Sequence, residues 1–255
     1  RPYTRQEIAT LRTAIPILQF ARARMGQFAD HGPGHAMRVR SFAVQLSYLM
    51  GLTASERHLL RVGALFHDVG NVVERERHHI ISQETVEKLA AAGEIPFTAE
   101  EAEVIGLLCR WHRREYDPNR VDSLHGEPIR TGLLASVLRV ADAMDIDHRR
   151  SDYDDRFKKV LRLFYPDALQ YWSSLEEIAG VRIRCGSAVH LQTFTRVPVT
   201  DNIQIDMLRR DLASTPLDWS VQQLAVGGPK ATPYAQHGPR RAAAAAARAP
   251  TLFPF

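Results

Sequence analysis

The sequence is poor in cysteine, since Cys109 and Cys185 are the only two among its 255 residues. Two isolated thiols give neither a disulfide framework nor a zinc-binding pattern. The chain also lacks an apolar run that could span a membrane, because the longest run is interrupted by Ser136, Arg139 and Asp142. We therefore expect a cytoplasmic protein without a membrane partner.

The main part of the chain lacks an excess of charge of either sign. The formal net charge is +4, from 33 Lys and Arg against 29 Asp and Glu. The basic residues that follow Val226 are Lys230, Arg240, Arg241 and Arg248, and no acidic residue accompanies them. Subtracting these four leaves 29 basic residues against 29 acidic ones. A neutral body argues against strong non-specific affinity for a polyanion, so a nucleic-acid partner is not expected, although it stays open.

Apolar residues at helical spacing predict a mainly α-helical domain over residues 1–150. Capping boxes are predicted where Thr53 precedes Glu56 and where Thr98 precedes Glu101. The third helix is expected to end near His67, before Gly70. A long apolar helix is predicted over about residues 131–147.

The character of the sequence changes after Arg150. Alternating residues predict two short strands, over 181–185 and 189–195, between helical segments, which indicates a small α+β appendage over residues 151–225. Residues 226–255 are rich in Gly, Pro and Ala and predict a flexible basic tail. The first residue is Arg1 and not Met, which favours a fragment or a processed chain.

Polar side chains continue the apolar stripes of four predicted helices. These side chains are His35, His67, His112 and Asp142, and Asp68 follows His67 directly. A buried carboxylate is costly unless it is paired or bound to metal. Mixed imidazole and carboxylate ligands suit Mn, Fe, Ni, Co or Zn better than calcium, and we expect one or two divalent ions, with Mg²⁺ also open. A single histidine on an apolar face is more often a hydrogen-bonded core residue, so the prediction depends on the whole set.

Three segments in order carry a resemblance to a known family: His35-x-x-Arg38-Val39, Ala64-Leu65-Phe66-His67-Asp68-Val69-Gly70, and Asp142. Together they resemble the HD-domain superfamily of metal-dependent phosphohydrolases, over about residues 30–150. The segments around His78-His79, Trp111-His112 and Asp142–Asp145 are most similar to the HD-type domain of the exopolyphosphatase / guanosine pentaphosphate phosphohydrolase family. The resemblance implies an HD-domain helical bundle.

The resemblance also implies site residues. It places a first metal at His35, His67, Asp68 and Asp142, and second-site ligands at His79 and His112, with His78 as the alternative to His79. The implied activity is hydrolysis of a phosphoester or phosphoanhydride, of a nucleotide, polyphosphate or other phosphorylated small molecule, by metal-activated hydroxide. Asp68 would orient the nucleophile, and His112 or His148 would protonate the leaving oxygen. Phosphate oxygens would be bound by Arg38, Arg113, Arg139 and Arg149.

One departure from the family pattern keeps a second function open. Asn71 stands where many HD enzymes carry a lysine after the His-Asp element, which removes one candidate phosphate-binding cation. The alternative function is a catalytically silent HD-type module that binds metal or nucleotide within a larger protein. Nuclease activity and a homo-oligomeric state also stay open.

Overall fold

The computed structural model describes residues 4–24, 28–113, 116–151, 155–184, 188–196, 201–226 and 236–237. It confirms a mainly α-helical fold with a small sheet near the C-terminus. The first six helices are α1 (Arg5–Arg24), α2 (Pro33–Leu49), α3 (Ala54–Phe66), α4 (His78–Ala91), α5 (Ala99–Trp111) and α6 (Thr131–Ala143). Short 3-10 turns at Val69–Val72 and His148–Ser151 follow α3 and α6.

Side-chain caps begin α3 and α5, as the sequence predicts. The Thr53 side chain accepts from the backbone N–H of Glu56, and the Glu56 carboxylate accepts from the backbone N–H of Thr53. Thr98 and Glu101 form the same reciprocal pair in α5. Each cap satisfies backbone donors that a helix start would leave without partners, so both helices begin at a defined residue.

Two local predictions differ from the structure. Helix α6 ends at Ala143, four residues earlier than the predicted 147. The structure also has a short antiparallel hairpin before α6, β1 (Asp122–Leu124) and β2 (Glu127–Ile129), where the sequence analysis predicts no strand. Both residues of its two-residue turn have positive φ, 52° at His125 and 80° at Gly126. A type I′ hairpin turn requires this backbone conformation.

The C-terminal part contains helices and a four-stranded sheet. Its elements are α7 (Asp155–Phe164), α8 (Pro166–Glu176), β3 (Ile178–Arg184), β4 (Val189–Thr195), α9 (Ile203–Ala213), β5 (Trp219–Ala225) and β6 (Gln236–His237). The strand order is β3-β4-β5-β6, with β4 and β5 parallel and the other pairs antiparallel. The sequence predicted β3 and β4, while β5 was missed. Helix α9 lies between the parallel strands β4 and β5 in the chain, as such a connection requires.

One hydrophobic core runs through both parts of the described chain. Leu60, Phe66, Leu108 and Leu138 are fully buried in the helical part, and Leu208 in α9 belongs to the same cluster. The predicted division near residue 150 therefore crosses a continuous core, and it stays a prediction. No helix within the described ranges combines the length and apolarity that crossing a membrane would need. The predicted flexible tail lies outside the described residues, apart from Val226 and β6.

Candidate metal centre

The end of α3 delivers two adjacent polar side chains to the interior. His67 is the C-cap of α3 and Asp68 follows it, both buried. The chain can turn there because Gly70 allows α4 to approach. A Cβ atom at Gly70 would lie 2.1 Å from the backbone oxygen of His78, which no side chain permits. The Gly70 N–H donates to Ser82 Oγ at 2.9 Å, so the turn is fixed to α4.

A first group of ligand atoms gathers from α2, α3 and α6. His35 Nε2 lies 3.3 Å from His67 Nε2 and 3.2 Å from Asp142 Oδ1. Asp68 Oδ2 lies 3.5 Å from both of these imidazole nitrogens. The four side chains are those that the resemblance implies for the first metal, and the structure brings them together.

A second group gathers on the other oxygen of Asp68. Asp68 Oδ1 lies 3.2 Å from His78 Nε2 and 3.8 Å from His112 Nε2, and these two nitrogens are 3.2 Å apart. Asp68 thus presents one carboxylate oxygen to each group. The resemblance implies His79 as the second-site residue, and the structure places the alternative, His78, at this position. His79 is half-buried with its ring centroid 5.7 Å from that of His78, because adjacent residues at the start of α4 point in different directions.

The separations fit a metal centre. Metal–ligand bonds of about 2.0–2.2 Å place neighbouring ligand atoms about 2.8–3.6 Å apart in tetrahedral or octahedral geometry. Separations of 3.2–3.8 Å between these nitrogens and oxygens are therefore close to what a divalent ion requires. Three sets of side chains can each hold an ion: His35, His67 and Asp68; His67, His112 and Asp142; and Asp68, His78 and His112.

The four imidazoles share one orientation. In each ring Nδ1 faces an oxygen: Asp145 Oδ2 for His35, and the backbone oxygens of Ala64, Arg75 and Cys109 for His67, His78 and His112 respectively. An oxygen acceptor at Nδ1 favours the tautomer with the proton on Nδ1, which leaves the Nε2 lone pair available. When the rings are neutral, all four Nε2 atoms can therefore act as metal ligands, which is the orientation that ligating histidines adopt.

The electrostatics of the centre favour positive charge among its carboxylates. Burial and Arg150 act to lower the pKa of His35, yet its hydrogen bonds to Asp142, Asp145 and Asp68 raise the pKa to about 10. Burial acts to raise the pKa of Asp68, but the neighbouring histidines hold it well below its usual range. The same opposition, with His35 and His67, holds the pKa of Asp142 well below its usual range. The carboxylates are ionised, and a proton or a metal ion must balance them.

Asp145 supports the centre from behind, a role that the sequence analysis did not assign. Its carboxylate is fully buried, faces His35 Nδ1 at 2.7 Å and accepts from Arg38 at 2.7 and 3.0 Å. Burial acts to raise the pKa of Asp145, and the contact with His35 outweighs it and lowers the pKa to about 2. Arg38 therefore orients the ligand His35 through Asp145. Its predicted role in substrate binding would need it to line the cavity described next, and it does not.

A cavity of about 260 Å³ lies over the centre. Asp68, His78, His112 and Asp142 form its floor, and its cationic side groups come from Arg75, Arg113, Arg139 and Arg150. Of the predicted phosphate-binding residues, Arg113 and Arg139 line the cavity. Arg149 does not, because its guanidinium pairs with Asp147. His148, the alternative proton donor, also lies outside the lining, and His112 is oriented as a ligand.

Several residues that line the cavity escaped the sequence analysis, among them Arg75 and His31. Arg75 donates to Asn71 Oδ1 at 3.3 Å and has no carboxylate partner among the described residues. The sequence signal for Arg75 is its position a few residues after His67-Asp68. That position points to the site only once the turn of the chain at Gly70 is known. His31 is buried in the loop before α2, and its Nε2 faces Arg150 at 3.2 Å.

Fold and site together define a helical domain with a buried, carboxylate-bridged histidine cluster that can bind divalent metal. A family model described as HD-CE matches residues 25–224, which is most of the chain. The protein therefore belongs to the HD-CE family and carries an HD-type domain. The comparison with curated proteins gives no match. The narrower similarity to the exopolyphosphatase / guanosine pentaphosphate phosphohydrolase family stays a prediction.

Proposed function

We propose that the protein is a metal-dependent phosphohydrolase that acts on a phosphorylated small molecule. One observation carries the proposal: a cluster with two sets of ligand atoms that share Asp68 lies at the floor of a cavity with guanidinium groups on its sides. Ligands without cations would suit a storage or structural site. Cations without ligands would suit an anion-binding site. Their combination suits hydrolysis of a phosphate ester.

The residues that would hold the first ion are His35, His67, Asp68 and Asp142, and Asp68, His78 and His112 would hold a second. A bound divalent ion supplies a hydroxide nucleophile at neutral pH, because it lowers the pKa of water from 15.7 toward about 7. Asp142, whose side chain is 29% exposed through the cavity, offers an oxygen that can accept a hydrogen bond from the attacking water.

Arg75 and Arg113 are the guanidinium groups best placed to bind the substrate phosphate. Both line the cavity, and neither forms a salt bridge to a carboxylate within the described part of the chain. Arginine binds phosphate oxygens through paired N–H donors. Arg75 would supply a cation that the sequence lacks at Asn71. Arg139 is committed in part to the fold, since its Nη1 donates to Ser214 Oγ at 2.8 Å.

The test begins with elemental analysis, followed by hydrolysis of a panel of phosphoesters by the whole chain with Mn, Mg, Ni, Co, Fe or Zn. We expect one or two ions per chain and turnover that Asp68→Asn lowers at least about a hundredfold, since such a ligand contributes several kcal/mol. The matched control is Asp122→Asn, in the β1–β2 hairpin, where Asp122 pairs with Arg120. Folded, metal-loaded protein without turnover on any substrate would contradict the proposal and favour the silent metal- or nucleotide-binding module.

A further inference from the structure

The cavity has a second wall of different chemistry, contributed by the C-terminal helices. Gln204, Met207, Leu208 and Asp211 line it from α9, and Tyr171 lines it from α8. The four α9 residues stand at positions i, i+3, i+4 and i+7 and so occupy one face of the helix. This C-terminal wall combines an aromatic ring and two apolar side chains with an amide and a carboxylate.

The C-terminal wall is held at both ends of α9. At the start, Asn202 caps the helix through Oδ1, and its Nδ2 donates to Ser174 O at 2.9 Å and to Glu177 Oε2 at 2.8 Å. At the end, Arg139 in α6 donates to Ser214 Oγ. The α9 face is therefore fixed to α8 on one side and to the helix that carries Asp142 on the other. A fixed wall of this kind can select among ligands without a large ordering cost.

Asp211 is the unexplained group in this wall. Its side-chain carboxylate has no hydrogen bond or salt bridge to any residue in the described ranges, although it is only half-exposed. Burial, together with Asp142, raises the pKa of Asp211 to about 6, although Arg139, Arg113 and Arg210 act in the opposite direction. Above that pH Asp211 is an ionised carboxylate that accepts no hydrogen bond from the described residues. A half-buried carboxylate is normally paired, which points to a donor on the ligand.

The charge pattern of the cavity restricts that ligand. A phosphate group fits beside Arg75 and Arg113, but a chain of phosphates extending across the cavity would bring further negative charge toward Asp211. Like charges in a partly desolvated site repel strongly. A group with N–H donors and a planar or apolar surface meets Asp211, Tyr171 and Met207 favourably.

We propose that the C-terminal wall binds the organic half of the substrate, and that the substrate is a small organic phosphate monoester whose organic group donates N–H hydrogen bonds to Asp211. The same carboxylate disfavours a polyphosphate chain. The inference rests on the proposed function for the position of the phosphate, and it concerns recognition and not turnover.

The experiment compares three kinds of probe on the whole, metal-loaded chain. They are nucleoside monophosphates with an exocyclic amine (AMP, CMP and GMP), phenyl phosphate, which has no N–H donor, and inorganic tripolyphosphate. Kd is measured by calorimetry where no turnover occurs, and kcat/KM is measured where it does. The variants are Asp211→Asn and the control Asp206→Asn. Asp206 lies on the same helix and pairs with Arg209 at 3.0 Å.

We expect the wild-type chain to prefer at least one of the nucleotides over tripolyphosphate. Asp211→Asn should weaken recognition of that nucleotide about tenfold or more, as loss of a hydrogen bond to a charged group does. It should strengthen recognition of tripolyphosphate and leave phenyl phosphate within about twofold, while Asp206→Asn changes none of these. A wild-type preference for tripolyphosphate, or an unchanged ratio of nucleotide to tripolyphosphate in Asp211→Asn, would overturn the inference. Absence of all turnover would refute the proposed function but would leave the Kd ratios to decide this one.

Discussion

Substitution of Asp145 by Asn tests a residue that orients a metal ligand without being a ligand itself. Asp145 touches no predicted metal position, yet its carboxylate faces His35 Nδ1, accepts from Arg38 and forms a longer ion pair with Arg150, at 3.8 Å. Asn keeps the shape of the side chain but removes its charge and places an N–H₂ group among donors. The substitution would therefore remove both the acceptor that fixes the tautomer of His35 and the negative charge that balances the two arginines.

The expected magnitude follows from the burial and the pKa of this carboxylate. A pKa of about 2 in place of the ordinary 3.8 corresponds to about 2–3 kcal/mol of stabilisation of the ionised form. Breaking a buried ion pair costs about 3–5 kcal/mol, because the partner charges stay buried. We therefore expect Asp145→Asn to lower the free energy of unfolding by about 2–5 kcal/mol at neutral pH. Metal affinity should fall about ten- to a hundredfold, as with other residues that orient a ligand.

The assay is urea unfolding of metal-free protein, together with metal titration of the folded protein. Because the folded-state pKa is depressed, the stabilisation is present above the ordinary pKa and is lost as pH falls from 3.8 toward about 2. The difference between the variants should therefore shrink over that interval. The matched control is Asp206→Asn, whose side chain is 53% exposed and pairs with Arg209, and it should cost about 1 kcal/mol or less. Wild-type stability and metal affinity in Asp145→Asn would refute the reasoning.

Three further predictions concern the same site. Metal binding should release protons and strengthen as pH rises, because the pKa of His35 is about 10 without metal; calorimetry in buffers of different ionisation enthalpy measures the release, and none would contradict the prediction. Gly70→Ala should lower metal content, since its Cβ would displace the His78 backbone. Gly180→Ala, where a Cβ meets nothing within 4 Å, is the comparison for elemental analysis. Arg75→Gln should lower kcat/KM about tenfold or more through loss of a charged hydrogen bond, while Arg77→Gln, at a side chain that is 61% exposed, should not; equal effects would exclude phosphate binding by Arg75.

Local patterns in the sequence were sufficient for the elements and for part of the site. Helical spacing and the caps at Thr53 and Thr98 predicted where α3 and α5 begin, since a cap depends on residues three positions apart. The same spacing placed His35, His67 and Asp142 on inward faces, and the structure brings them together. The choice between His78 and His79 could not be made in this way, because it depends on the direction of the first turn of α4 where it meets Gly70.

By itself, the sequence determined where most of the helices lie and which of their faces carry His35, His67 and Asp142 inward, because helix periodicity and capping are properties of neighbouring residues. Only the tertiary structure decided what surrounds them. Asp145 supports His35 across 110 residues, and Asp211 reaches the cavity from a helix that no motif connects to it. Such contacts depend on how the helices pack, and packing is the joint result of many side chains whose separate contributions leave no local pattern.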